Sequence, residues 1–217
     1  KVLDQRKKWS KIRNAFDNFE GWVSNQQFTH IDEDLFKELE SLESTKVSSE
    51  LISFIETESN VLLPIVLGSC IPQNCPLNHK FDGSFTIGKQ DKDQLVNKAL
   101  LYLNAPYLWG GKTTFGIDGP GFTQMTYKTN GYRLLRGAQQ QSTQGEALSF
   151  IEESEPGDLA FFDNNDGTID HVGIIMENNY VIHSFGKVRI DRIDHTGIFN
   201  TETNTYTHKL RVIKKII

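Results

Sequence analysis

Cysteine is scarce in this sequence of 217 residues, which contains only Cys70 and Cys75. A zinc site would need four ligands, and no second cysteine pair or histidine pair stands at ligand spacing. The two cysteines are therefore interpreted as unrelated thiols, or as a small loop disulfide if the compartment is oxidising. We predict no metal and no cofactor.

An excess of positive charge and long apolar runs are also missing. The chain carries 23 basic and 28 acidic residues, a net charge of −5, which gives no sign of the basic face that nucleic acid would need. The apolar run 62–67 is interrupted by Pro64 and is far too short to span a membrane. The sequence begins with Lys1 and shows no signal peptide, so we expect a processed or trimmed product.

The most informative stretch is 107–122, where aromatic residues and glycines lead into a short amphipathic segment. Asp118 and Gly119 are suitable N-cap residues, Pro120 suits the first helical position, and Gly131 suits the position after the helix. A helix that starts in this way has free backbone N–H groups at its N-terminus, the positive end of the helix dipole. It can lower the pKa of a thiol or hold a developing oxyanion.

The second half of the chain predicts helices followed by strands. Residues 91–94 are close to a capping box that begins an amphipathic helix, which ends before Pro106. Apolar segments predict strands over 159–162, 171–176, 180–183, 188–193 and 210–217. Asn178 and Asn179 form a plausible hairpin turn. This order indicates an α+β domain with helices packed on an antiparallel sheet.

The first half predicts small β modules. Strands over 9–13 and 19–23 flank a turn at Asp17 and Asn18, and an acidic helix is expected over 32–42. Weaker strand patterns cover 49–56, 61–68 and 81–87. We place the domain boundary near Gly88.

The stretch 107–122 resembles the signature of the NlpC/P60 family of cell-wall cysteine peptidases. That signature reads Tyr-x-Trp-Gly-Gly, a short loop, and then Asp-Cys-Ser-Gly-Phe. The matching residues are Tyr107, Trp109, Gly110, Gly111, Asp118, Gly121 and Phe122. Gly119 stands where the family has its catalytic cysteine, and Pro120 stands where it usually has serine.

Further motifs agree with this resemblance and in the same order. The family pattern Pro-Gly-Asp-Leu-x-Phe-Phe matches Pro156, Gly157, Asp158, Leu159, Phe161 and Phe162. The resemblance makes His171 the general base and His183 the residue that orients it. The hairpin turn would place both imidazoles on one face of the sheet. The histidines at 30, 79, 195 and 208 are interpreted as ordinary structural side chains.

The resemblance implies a papain-like NlpC/P60 domain over 89–217. Residues 1–88 resemble a bacterial SH3-like region, because 9–13 and 21–23 fit the pattern Trp-x-Lys-Val-Arg and then Gly-Trp-Val. On this interpretation the chain begins partway through the small barrel. Tyr107 and Trp109 would form a pocket wall. Asp118 would bind the free α-amine of a peptide while also capping its helix.

The family cleaves short peptidoglycan peptides, typically at the γ-D-glutamyl–diamino acid bond, outside the cytoplasm. Without a side chain at Gly119 no covalent intermediate can form. One hypothesis is an inactive member that binds cell-wall peptides with a free N-terminal amine. A second is an engineered, nucleophile-deleted form of a periplasmic or cell-surface endopeptidase. A third is a structural interaction module with a vestigial cleft.

Overall fold

The computed structural model of the protein describes residues 1–41, 45–72, 78–164 and 166–217. Cys75 lies outside these ranges, so the predicted relation between Cys70 and Cys75 falls outside the described residues. Cys70 is exposed. No helix within the described ranges is long and apolar enough to cross a membrane.

The chain begins with a three-stranded antiparallel sheet in the order β1-β2-β3. Its strands are β1 (Val2–Gln5), β2 (Trp9–Arg13) and β3 (Glu20–Ser24). The predicted turn is confirmed, because Asn18 adopts the left-handed conformation with φ 57°. The SH3-like assignment of this region and the boundary near Gly88 stay predictions.

An acidic helix and five short strands follow. They are α1 (Glu33–Ser41), β4 (Lys46–Ser48), β5 (Ile52–Glu56), β6 (Leu62–Val66), β7 (Cys70–Ile71) and β8 (Phe85–Thr86). β4 lies between β7 and β8, whereas β5 and β6 form a separate hairpin. The sequence pattern missed β4 and predicted strands over 49–56, 61–68 and 81–87 that are longer than the observed β5, β6 and β8.

The next helix is shorter than predicted. α2 covers Gln94–Leu100 and begins after Asp93, which makes no side-chain capping bond. The capping box expected at Asp91 is therefore wrong: the backbone N–H of Gln94 bonds to the Asp91 carbonyl in a simple turn. Leu101–Leu103 continue with bonds to the third residue back, which end the helix before Pro106.

The core of the second half is a seven-stranded antiparallel sheet. Before it come β9 (Lys112–Thr113), β10 (Gly116–Ile117), α3 (Gly119–Thr129) and α4 (Ala138–Gln141). The sheet contains β11 (Glu146–Leu148), β12 (Leu159–Asp163), β13 (Ile169–Met176), β14 (Tyr180–Phe185), β15 (Lys187–Ile193), β16 (Gly197–Asn200) and β17 (Thr205–Lys215). Short 3₁₀ turns cover Ile151–Glu153 and Glu177–Asn179. The α+β prediction is confirmed.

The sheet closes on itself in a way that the sequence pattern did not predict. The strand order is β11-β17-β12-β13-β14-β15-β16, and β16 also pairs with β17. β17 is long enough to pair with β12 along one part and with β16 along another. We expected a strand to begin at 210, but it begins at Thr205 and brings His208 into the sheet.

The hairpin between β13 and β14 fixes the histidine positions. Asn178 and Asn179 both have positive φ, 58° and 60°, which a tight turn of this kind requires. In the resulting register Gly173 lies opposite His183. Because His171 is two residues from Gly173 on the same strand, both imidazoles point to one face, as predicted.

The N-terminal sheet contacts the helix that carries Gly119. The Asp17 carboxylate accepts a hydrogen bond of 2.9 Å from the Gln124 side chain of α3. The neighbouring Phe16 ring lies 5.0 Å from the ammonium of Lys128. Leu67, 1% exposed, belongs to the same apolar core as the helices and the sheet. Both halves of the chain therefore pack against α3.

Candidate functional site

The floor of the site is the start of α3. Asp118 is the N-cap, and its Oδ1 accepts a 2.7 Å hydrogen bond from the backbone N–H of Gly121. Gly119 is the first helical residue and Pro120 the second, one position later than the sequence predicted. Gly131 follows the helix with φ 84°, as expected of a glycine after a C-cap.

Position 119 faces His171. A Cβ atom built on Gly119 would lie 3.5 Å from His171 Nδ1 and 3.6 Å from its Cε1, which is ordinary van der Waals contact. The φ angle of Gly119 is not among the positive ones, so an L side chain is compatible with the backbone there. The structure therefore brings the two predicted positions together, with no side chain at the first.

The two predicted histidines are linked to two residues that the sequence did not single out. His171 Nε2 lies 2.9 Å from His183 Nδ1, and His183 Nε2 lies 3.0 Å from Asp191 Oδ2. Arg189 donates to both carboxylate oxygens of Asp191, at 2.6 and 3.0 Å. His171, His183 and Asp191 are all buried. We call this series of side chains the histidine relay.

The relay fixes which nitrogen of His171 carries a proton. Burial would raise the pKa of Asp191, but hydrogen bonds from His183 and Arg189 lower it on balance, so the carboxylate is ionised and only accepts. His183 must then donate from Nε2. Burial lowers the pKa of His183 despite the Asp191 charge, so its neutral, unprotonated Nδ1 accepts a hydrogen bond from the N–H at His171 Nε2. His171 thus presents a bare Nδ1 toward position 119.

Burial, and then the neighbouring His208 and His183, lower the pKa of His171 well below its ordinary value. The imidazole is therefore neutral at physiological pH. A neutral histidine with a free lone pair is in the form that a general base needs. The sequence assignment of His171 as base and His183 as orienting residue fits this geometry and stays a prediction of role.

His208 corrects a sequence interpretation. We expected an ordinary structural side chain, but its ring stacks on His171 with centroids 4.0 Å apart and planes 24° apart. Burial lowers the pKa of His208 to about 4. The segment around His208 carries no motif, and the strand was expected to begin after it. The sheet places His208 beside His171, because β17 pairs with β12 and β12 pairs with β13.

The three histidines offer nitrogens within 4.8 Å of one another, as a metal site would require. The orientation of the rings argues against one shared ion. A histidine binds a metal in the plane of its ring, and the stacked planes of His171 and His208 do not converge on a common point nearby. His171 and His183 are also already bonded to each other. The donor set therefore does not fit a metal without rotation of the rings.

Asp118 is held by more donors than the sequence indicated. Besides the Gly121 N–H, its carboxylate accepts from the Gly110 N–H at 2.8 Å and from both Nη atoms of Arg136, at 3.0 and 2.7 Å. The helix-capping role is confirmed. These four donors occupy the positions that a peptide amine would need, so they argue against amine binding by Asp118. That second role stays a prediction.

A groove of about 660 Å³ runs beside His171. Its walls include Tyr107, Asp163, Asp170, Ser184, Tyr206 and His208. Trp109 is 86% exposed and does not line this groove. The expected pocket wall is therefore supported for Tyr107 and not for Trp109. Ligand contact by either residue stays a prediction.

The α+β domain carries a buried histidine relay that faces the N-terminus of α3. The NlpC/P60 family profile matches residues 104–208. The probable endopeptidase NlpC of Escherichia coli is 32% identical over 127 residues, which cover 57% of this chain and 79% of that protein. The chain belongs to the NlpC/P60 family.

Two further comparisons reach the N-terminal part. The γ-D-glutamyl-L-lysine dipeptidyl-peptidase of Bacillus cereus is 29% identical over 213 residues, 84% of this chain and 63% of that protein. A crystal structure of a B. cereus NlpC/P60 protein covers all of this chain, with a TM-score of 0.81 at 22% identity, and supports the fold. A third comparison covers less of the chain: the dipeptidyl-peptidase of the same name from Bacillus subtilis is 34% identical over 98 residues, 44% of this chain and 33% of that protein.

Proposed function

We propose that this member of a peptidoglycan hydrolase family binds cell-wall stem peptides without cleaving them. The observation that carries the proposal is the position of Gly119. It lies where a nucleophile would meet the bare Nδ1 of His171, and it offers no side chain. Loss of a triad member leaves only about 10³–10⁴-fold acceleration over water, against the 10⁶-fold or more of ordinary enzymes.

Other nucleophiles within the described part of the chain are badly placed. Cys70 lines a cavity with Lys128 and Gly131, at the far end of α3. An eleven-residue helix is about 16 Å long, so this thiol is far from His171. The Ser184 hydroxyl borders the groove but donates to the Ile117 carbonyl at 2.9 Å. Neither side chain replaces the missing thiol.

The retained groove supports binding. Tyr107 and His171 border it, and the buried histidine relay that supports its wall is complete. The relatives from B. cereus and B. subtilis are named for the γ-D-glutamyl-L-lysine linkage. The ligand that we propose is a short peptide with that linkage and a free N-terminal amine. The protein would bind it in the periplasm or at the cell surface.

Calorimetric titration tests this function directly. L-Ala-γ-D-Glu-L-Lys should bind, whereas the same peptide joined through the α-carboxyl of glutamate should bind more weakly, because the chain path through the groove changes. If neither peptide binds, the module with a vestigial cleft becomes the better account. The residue encoded at position 119 of the native gene separates a natural pseudoenzyme from an engineered form.

A further inference from the structure

The three-stranded sheet at the start of the chain has one face that points to solvent. Trp9 pairs with Ser24, and Lys11 pairs with Trp22, so these four side chains share that face. Trp9 is 52% exposed and Trp22 is 44% exposed. The two are diagonal neighbours, about 7–8 Å apart between their backbones. The alternate residues point to the other side, where Ile12 lines a cavity with α1.

The turn 6–8 between β1 and β2 adds three consecutive cations next to Trp9. Its backbone is held in place, because the Arg6 N–H donates to the Trp9 carbonyl at 2.8 Å and the Asn25 amide donates to the Arg6 carbonyl at 2.9 Å. The Arg6 guanidinium lies 4.5 Å from the centroid of the Trp22 ring. The turn therefore presents its cations beside the two indoles. We call the turn and the solvent-facing side of the sheet the tryptophan face.

The tryptophan face carries more positive than negative charge. Lys7 and Lys8 are exposed, and within the described ranges neither forms an ion pair within 4 Å. Two carboxylates, Asp4 and Glu20, oppose five cations. The cations are Arg6, Lys7, Lys8, Lys11 and Arg13. The whole chain has a net charge of −5, so its average composition hides this local positive area. The charge of the face is complementary to an anionic partner.

Exposed tryptophans beside lysine and arginine are suited to an anionic membrane surface. Tryptophan concentrates at membrane–water interfaces, because its ring is apolar and its N–H is polar. Lysine and arginine extend apolar stems along the interface and are attracted to anionic lipid headgroups. A soluble polyanion would use the cations but would not require two exposed indoles on the same face.

We propose that the tryptophan face binds the protein to an anionic phospholipid surface, without insertion of a membrane-spanning segment. The indoles would lie at the level of the headgroups, and the cations would contact the lipid phosphates. This binding goes beyond the proposed function, and it does not depend on which ligand the groove takes.

Sedimentation of the full chain with lipid vesicles tests the charges. At low salt the protein should bind vesicles made of equal parts of phosphatidylglycerol and phosphatidylcholine. It should bind phosphatidylcholine alone at least about ten-fold more weakly, and added salt should weaken the binding to the mixed vesicles. Lys7→Gln with Lys8→Gln should weaken that binding by about 25-fold, since each basic residue near an anionic surface contributes about five-fold. Lys89→Gln with Arg192→Gln is the matched control, because both are exposed cations on other parts of the chain, and it should bind like the wild type.

Tryptophan fluorescence tests the indoles. Mixed vesicles should shift the emission to shorter wavelength, because Trp9 and Trp22 leave water. Trp9→Phe with Trp22→Phe should remove this shift. Trp109→Phe, which changes the third tryptophan of the chain, should keep it.

Three results would overturn the proposal. The first is no wild-type binding to the mixed vesicles. The second is an equal loss of binding in the Lys7, Lys8 pair and in the control pair. The third is tight binding of soluble polyphosphate with no fluorescence shift on the vesicles, which would make the face a site for soluble polyanions. If a variant does not fold by circular dichroism, the dependence of wild-type binding on lipid composition and salt still decides.

Discussion

The buried ion pair beneath the start of α3 gives a sharp stability prediction. Asp118 and Arg136 have side chains only 8% and 11% exposed. Asp118→Ala removes the helix cap, at a cost of about 1 kcal/mol, and leaves the Arg136 guanidinium buried without its partner. Removing one partner of a buried pair costs about 3–5 kcal/mol. We therefore expect the free energy of unfolding to fall by about 3–5 kcal/mol or slightly more.

Urea unfolding followed by circular dichroism measures this loss. The melting temperature should fall by about 6–20 °C, since 1 kcal/mol shifts it by about 2–4 °C at this size. A double variant, Asp118→Ala with Arg136→Met, should lose about 1.5–3 kcal/mol less than the sum of the two single losses, because no unpaired charge remains.

Asp93→Ala is the matched control, because this exposed N-cap of α2 makes no side-chain capping bond. Its effect should stay within about 0.5 kcal/mol. A loss below 1 kcal/mol for Asp118→Ala, with no coupling to Arg136, would refute the reasoning. It would mean that the carboxylate is available to a ligand, as the sequence resemblance implied.

Two other predictions concern the relay and the wild-type reaction. Burial lowers the pKa of His171 and His183, and lowers that of His208 to about 4, so the unfolded chain takes up protons first as the pH falls below about 6.5. Stability should therefore be full above pH 6.5 and decline toward pH 4, by up to about 1.4 kcal/mol per pH unit for each histidine. His208→Phe, which keeps a stacking ring, should flatten this decline, whereas the control His195→Asn, at an exposed position, should not. Identical profiles of stability against pH for the wild type and both variants would contradict the buried, neutral state assigned to His208. Wild-type protein should leave L-Ala-γ-D-Glu-L-Lys intact in mass spectra, and turnover of about 1–10³ s⁻¹ would reveal an unsuspected nucleophile.

Much of the site could be predicted because its residues are close in sequence. Asp118 through Gly131 form one local loop and helix, and their capping chemistry is determined by neighbours along the chain. His171 and His183 are joined by one hairpin, so a two-residue turn is enough to place them together. Periodicity and turn chemistry describe such short-range structure well.

The parts that could not be predicted depend on contacts across the sheet. His208 reaches His171 only because β17 pairs with β12, and no local pattern states which strands are neighbours. Arg136 meets Asp118 from a loop 18 residues away. Asp191 looked like one more polar residue on an alternating strand. In the β14–β15 register Arg189 lies opposite His183, and Asp191 lies opposite Val181, close enough to bond to His183 Nε2.

The central claim is that this site lacks a nucleophile but keeps the helix start and the histidine relay around it. The measurement that tests it most directly is cleavage of L-Ala-γ-D-Glu-L-Lys by Gly119→Cys combined with Pro120→Ser. The backbone at 119 accepts a side chain, its Cβ would contact His171, and the helix start favours a thiolate. Serine also restores the N–H that Pro120 lacks.

We expect the folded double variant to react with iodoacetamide faster than free cysteine and to release L-lysine from the peptide. Adding His171→Ala should abolish the cleavage, because the new thiol then has no base. A folded double variant that shows neither fast alkylation nor cleavage would contradict the account. It would show that the groove has lost more than its nucleophile.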